Sequence, residues 1–275
     1  MDYKQIITNW KEFEIPNLLP RMTDVNIDAD FITTITGPRM AGKTYFCFQL
    51  VKKLAEQGTQ RENILYINFE DNRLIGASAD DLEKLLEVFF ELSQINKEQK
   101  VYLFLDEIQT VKDWDSWIRK IHDTRKDIRL ILTGSSSKML SKEISTKLRG
   151  RVINKEIFPL SFKEILSWKN TKYDLKTISY SKTKADIKKE LSSYIINGGY
   201  PSVVVEKVQK DTILQGYYDS MILKDIVERY KIEDVKKLRE LANIIFNSIS
   251  KEISYSKIAN KLNSIGFKTS KNTII

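Results

Sequence analysis

The 275-residue sequence predicts an α/β protein: a parallel sheet flanked by helices, followed by an all-helical region. Three observations predict it. From about residue 31 to 157, apolar runs that suit buried strands alternate with amphipathic stretches, the pattern of parallel strands joined by crossover helices. The first apolar run leads into a glycine-bearing segment, residues 37–44, that opens a helix. A later run, Val101-Tyr102-Leu103-Phe104-Leu105, ends in two carboxylates, Asp106 and Glu107.

The elements follow in order. Ile6, Ile7, Trp10 and Phe13 give residues 1–22 an N-terminal helix, and Pro16 and Pro20 make its end a connector. Strands are expected near 31–36, 64–69, 101–105, 128–133 and 152–157. Leu82, Leu85, Leu86, Phe89 and Phe90, and then Trp114, Trp117, Ile118 and Ile121, repeat at helical spacing. Ser161 and Glu164 form a capping-box pair ahead of an apolar run. Residues 169–186 read as a linker or insertion, and Asn197-Gly198-Gly199-Tyr200-Pro201 reads as a sharp turn between helices. Beyond about 234, an amphipathic helix, a second helix at Ser254–Leu262, a turn at Gly266 and a helix start at Ser270 outline a truncated helix-turn-helix or winged-helix region. The expected divisions are 1–157, 158–233 and 234–275.

Gly37-Pro38-Arg39-Met40-Ala41-Gly42-Lys43-Thr44 fits the phosphate-cradling pattern G-x-x-x-x-G-K-[ST] at every fixed position. Its glycines allow a turn whose backbone N–H groups face an anion at the positive end of a helix. These eight residues, with Tyr45, are therefore the expected nucleotide contacts. Lys43 can reach the β- and γ-phosphates and the Thr44 hydroxyl can bind Mg²⁺. Two carboxylates at the tip of a buried strand lie where ligands bind in open α/β sheets. Asp106 suits the metal, and Glu107 suits a base that orients the attacking water. The two strands that carry these motifs are expected to be neighbours.

The strand Ile128–Thr133 ends in Gly134 and three serines. Thr133 and Ser135 are candidates to sense the γ-phosphate, and Ser137 to cap the next helix. Arg149 and Arg151 are candidate arginine fingers, acting in cis or from a neighbouring copy in a homo-oligomer. Glu70 and Asp71 are either neighbours of the attacking water or solvated loop carboxylates.

Composition narrows the class further. No apolar stretch approaches the roughly 18–20 residues of a membrane span, no signal-peptide pattern opens the chain, and the single Cys47 excludes an intrachain disulfide. A soluble, cytoplasmic protein is expected. His122, the one histidine, reads as a helix-surface residue. Residues 1–150 hold 22 Lys and Arg against 23 Asp and Glu, a net −1, whereas residues 151–275 hold 23 against 14, a net +9. The basic part suits DNA or another acidic partner, and equally a lysine-rich solvated surface.

The loop, Tyr66-Ile67-Asn68-Phe69-Glu70-Asp71, Leu105-Asp106-Glu107-Ile108-Gln109, Leu132-Thr133-Gly134-Ser135, Leu148-Arg149-Gly150-Arg151 and Gly198-Gly199-Tyr200-Pro201 occur in this order. Together they make the chain resemble the prokaryotic, archaeal-type AAA-like P-loop ATPases that carry a C-terminal winged-helix region. The resemblance covers nearly the whole chain. It implies Mg²⁺-dependent ATP hydrolysis, with Lys43 and Thr44 on phosphate and metal, Asp106 on the metal, Glu107 as base and Arg151 as a candidate finger. A nucleotide-gated DNA-binding regulator with little turnover is the alternative; a small-molecule kinase fits the Asp-Glu pair less well.

Overall fold

Five strands form one sheet in which every neighbouring pair is parallel: β1 (Ile32–Thr36), β2 (Ile64–Asn68), β3 (Val101–Asp106), β4 (Ile128–Thr133) and β5 (Val152–Glu156). This computed structural model describes residues 1–134, 146–148, 150–174, 183–206 and 209–274. The strand order is β2-β3-β4-β1-β5. The expected strands are all present, but the strands carrying the two motifs are not neighbours: β4 lies between β1 and β3. Sequence periodicity shows that a strand is buried, while its partner is fixed by contacts far along the chain.

Because all strands run the same way, their carboxyl ends line one edge. The register pairs Asn68 with Asp106, Ile35 with Thr133 and Thr36 with Glu156. Helices α1 (Tyr3–Glu12), α2 (Lys43–Glu56), α3 (Ala79–Leu92) and α4 (Trp114–Thr124) accompany the sheet. Every residue of β1 and β3 is buried, as in a sheet covered on both faces. Phe46, Phe89 and Phe104 are among the largest fully buried side chains between these layers. The indole of Trp10 ties α1 to the edge strand β2 by donating to the Ile64 carbonyl at 2.7 Å.

After β5 the chain continues through α5 (Phe162–Trp168), α6 (Thr183–Asn197) and α7 (Pro201–Val205). The expected Ser161–Glu164 capping box opens α5, and Gly198, at φ 69°, turns the chain between α6 and α7. The compact units are Met1–Ile213 and Leu214–Ile275, so the described residues of 158–213 fall in the same unit as the sheet. Local bonds explain this: Ile157 N–H donates to the Thr36 carbonyl at 2.7 Å, Leu160 N–H to the Gly199 carbonyl at 2.6 Å, and Met22 N–H to the Glu164 carboxylate at 3.0 Å.

The second unit is helical and begins within α8 (Lys210–Ser220), which leads into a wider-wound stretch over Met221–Glu228, then α9 (Val235–Phe246), α10 (Tyr255–Ser264) and α11 (Lys271–Ile274). Asp219 and Arg239 pair at 2.6 Å. Gly266, at φ 96°, ends α10, and the Asn263 side chain clasps the backbone of Thr269 by two bonds of 2.9 Å. Among the described residues no helix is long and apolar enough to cross a membrane.

Candidate nucleotide site at the carboxyl edge of the sheet

The loop between β1 and α2 is shaped by positive φ angles at Gly37 (150°), Met40 (60°) and Gly42 (95°). Left-handed residues interleaved with ordinary ones are the backbone pattern of an anion nest, with the Ala41 N–H donating to the Pro38 carbonyl at 3.2 Å. The first N–H groups of α2, which have no acceptor within the helix, add to it. Gly37 is required by space as well as by φ, since a Cβ there would lie 2.0 Å from the Ile157 carbonyl oxygen. A Cβ on Gly42 would lie 3.4 Å from Pro201 Cγ, so the first residue of α7 lies over the loop.

Lys43 is buried, and its ammonium donates to the Gly37 and Pro38 carbonyls at 3.1 and 3.3 Å. Ala41 is buried. Met40 and Tyr45 are about half exposed, with the Tyr45 ring edge-on to Phe48 at 6.0 Å. Arg39 reaches Glu70 at 3.4 Å.

Three hydroxyls converge on Asp106, itself 1% exposed. Thr44 Oγ1 and the Tyr66 hydroxyl donate to Oδ2 at 2.7 and 2.6 Å, and Thr133 Oγ1 donates to Oδ1. The intervening strand β4 thus supplies the link between β1 and β3. Thr133 also accepts from the Glu107 N–H at 2.9 Å, so it holds both acidic residues. Glu107 is in the left-handed region at φ 55°, a strained conformation of the kind that concentrates at functional sites. One of its carboxylate oxygens lies 3.8 Å from the Lys43 ammonium, and the other accepts from the Gln109 side-chain amide. Burial pushes the Glu107 carboxyl above the ordinary carboxylate range, against the opposing pull of Lys43 and Gln109. Burial also raises the Tyr66 phenol, with Asp106 adding to the effect, which leaves it a proton donor.

The structure thus gathers Lys43, Thr44, Asp106, Glu107 and Thr133, together with Tyr66 and Gln109, for which sequence reasoning named no role. Tyr66 has a signal in hindsight. It pairs with Phe104 two residues before the Asn68–Asp106 pair, so period two puts it on the Asp106 face. Ser135, Ser137 and Arg149 lie outside the described residues. Asp71 pairs with Arg73 at 2.6 Å.

Arg151 does not join the site in its own chain. Its carbonyl accepts from Ile32 N–H at 2.8 Å, at the amino end of β1. That is about 13 Å along the strand from Thr36 at the usual rise of about 3.3 Å per residue. Its guanidinium forks Asp123 at 2.9 and 3.0 Å. The expectation of a finger acting in cis is corrected for this residue: the turn at Gly150 delivers it to the wrong edge.

The family model described as an AAA domain matches residues 29–166, just over half of the chain. The chain belongs to the AAA domain family. The matched span takes in all five strands, the loop and Asp106–Glu107. A second model, for a domain of unknown function, matches residues 188–274. An uncharacterized protein of Methanocaldococcus jannaschii is 37% identical over 272 residues, covering 98% of this chain and 58% of the relative. An uncharacterized protein of Haemophilus influenzae is 34% identical over 249 residues, covering 90% and 59%. The chain therefore spans somewhat more than half the length of these relatives. The AMPPCP-bound DnaA of Aquifex aeolicus aligns at a TM-score of 0.32 and 18% identity, over 90% of this chain and 81% of that one.

Proposed function

We propose that this AAA domain is a Mg²⁺-dependent ATPase that cleaves the β–γ phosphoanhydride of ATP to ADP and phosphate. The observation that carries the reading is the convergence of Thr44 and Asp106, 2.7 Å apart, beside a buried Glu107 that lies 3.8 Å from Lys43. A hydroxyl and a carboxylate are the hard oxygen donors that Mg²⁺ prefers. Thr44 can keep its proton on Asp106 while offering a lone pair to the metal. Bound there, Mg²⁺ would neutralise charge on the β- and γ-phosphates.

The residues divide the rest of the work. The loop N–H groups and Lys43 hold the phosphates, with the ammonium exchanging its two carbonyl partners for phosphate oxygens. Glu107 takes a proton from water as the water oxygen bonds to the γ-phosphorus. The bond from that phosphorus to the bridging oxygen breaks, its electron pair staying on ADP, and the proton passes on to phosphate. A base whose pKa is raised toward the working pH is better suited to this transfer than an ordinary carboxylate. Thr133 fixes the backbone from which Glu107 projects, and Ser135 belongs to the proposed γ-phosphate contacts.

Glu107→Gln tests the reading. ATP turnover, followed by phosphate release, should fall at least about a hundredfold, while binding of ATP persists. Unchanged turnover would remove Glu107 from the chemistry. An arginine finger, if Arg151 supplies it, comes from a neighbouring copy in a homo-oligomer.

The basic C-terminal part, carrying +9 over residues 151–275, is proposed to contact DNA or an acidic protein partner in a nucleotide-dependent way. True DNA binding should weaken steeply with salt, on the order of a thousandfold between 50 and 200 mM for six phosphate contacts. An affinity indifferent to salt would discard the DNA partner.

A further inference from the structure

Tyr66 is the one hydroxyl on Asp106 that the proposed chemistry leaves without a task. It donates to Oδ2, the oxygen shared with Thr44, while Thr133 holds Oδ1. With both oxygens gripped, the carboxylate has one orientation. The phenol itself is fixed from behind. Its ring lies 5.3 Å from Trp10 and 5.0 Å from Phe48, and Phe13 packs on both at 5.9 and 5.3 Å. Trp10 is in turn anchored by its 2.7 Å bond to Ile64 and by the Arg61 guanidinium 3.5 Å above its ring. A chain of fixed contacts therefore runs from α1, through Trp10 and Tyr66, to Asp106.

We infer that Tyr66 is a positioning residue for Mg²⁺: through its bond to Oδ2 it holds Asp106 in the orientation that shares the metal with Thr44, and α1 supports it. The inference rests on the proposed metal role of Asp106. A buried tyrosine needs a partner for its hydroxyl in any fold, so a purely structural Tyr66 predicts lost stability in Tyr66→Phe with no change in metal dependence. A positioning Tyr66 predicts a change in metal dependence itself. Removing an outer partner of a metal ligand typically weakens metal affinity about 10–100-fold, and with Thr133 and Thr44 still in place the lower end is expected.

The test titrates MgCl₂ against binding of a fluorescent non-hydrolysable ATP analogue to the full chain, beside a measurement in EDTA. In Tyr66→Phe the Mg²⁺ concentration at half-maximal tightening should rise about tenfold, with affinity in EDTA unchanged. A wild-type titration curve in this variant overturns the inference. If wild-type affinity ignores Mg²⁺, or Asp106→Ala keeps the full Mg²⁺ response, the metal reading of Asp106 falls instead. Should circular dichroism find Tyr66→Phe unfolded, Trp10→Phe keeps the phenol and removes the indole beside it. A smaller rise in the same direction then supports the inference, and no rise overturns it.

Discussion

At the amino end of the sheet, Asp30 lies 3.3 Å from Lys126, Arg125 meets Asp127 at 2.7 Å, and Arg151 forks Asp123. These side chains are roughly one-third to three-fifths exposed, and each charge meets its opposite directly. At the carboxyl end, Lys43, Asp106 and Glu107 are all buried, and neutral groups do most of the holding. Carbonyls hold the ammonium, hydroxyls hold Asp106, and an amide holds Glu107. Charges paired in water have completed their interactions and have little further to offer a ligand. Desolvated charges fixed by dipoles are preorganised for a ligand that brings its own charge. The same sheet thus carries ordinary surface electrostatics at one edge and a built site at the other.

The sharpest break of this contrast is Gly37→Ala. The new methyl group would meet the Ile157 carbonyl oxygen at 2.0 Å, at a φ of 150° that L side chains rarely adopt. Strain and overpacking together should cost on the order of 2–5 kcal/mol. Urea denaturation should register that loss, and ATP binding should fall with it. A variant as stable as the wild type would mean that the loop has room to spare, contrary to a site held rigid in advance.

A smaller effect is expected at Gln109, whose amide steadies the ionised form of Glu107. Turnover needs the carboxylate deprotonated, and burial has already raised its pKa, so activity should fall on the acid side at a pH above the usual 4.5 of a glutamate. Gln109→Leu removes an influence that lowers the pKa. The acid limb of the pH–rate profile should therefore move to higher pH. A limb that stays in place would assign it to another group.

What could be read from the sequence follows from what is local. β1 and β3 are buried on both faces, so they appear as continuous apolar runs, and the loop and acidic tip are marked by their neighbours in the chain. The placement of β4 between them is set by pairing across tens of residues, which periodicity does not encode. Thr133 accordingly looked like a phosphate sensor; in the fold it bonds Asp106 and the Glu107 backbone. Tyr66, given no role from the sequence, is placed on the Asp106 face by the Asn68–Asp106 register. His122, expected on a helix surface, lies on α4 with its side chain 13% exposed and facing Asp123 at 3.2 Å. Motif context favoured Arg151 as a finger, although its place just before the strand expected at 152–157 of a parallel sheet already sets it at the amino end.

Arg151→Ala carries the smallest expected effect and sharpens the contrast most finely. Its pair with Asp123 is half in water, so its loss should leave the unfolding midpoint close to that of the wild type. Per-site turnover in dilute protein should be unchanged, since the guanidinium sits at the edge of the sheet away from Asp106. Turnover measured against protein concentration separates the remaining roles. If the variant departs from the wild type only as concentration rises, the arginine acts in a neighbouring copy's site, and the amino edge has a catalytic task after all. If the two curves coincide throughout, Arg151 is a surface ion-pair residue. A loss already present in dilute protein would contradict the placement of Arg151 at the amino end of β1.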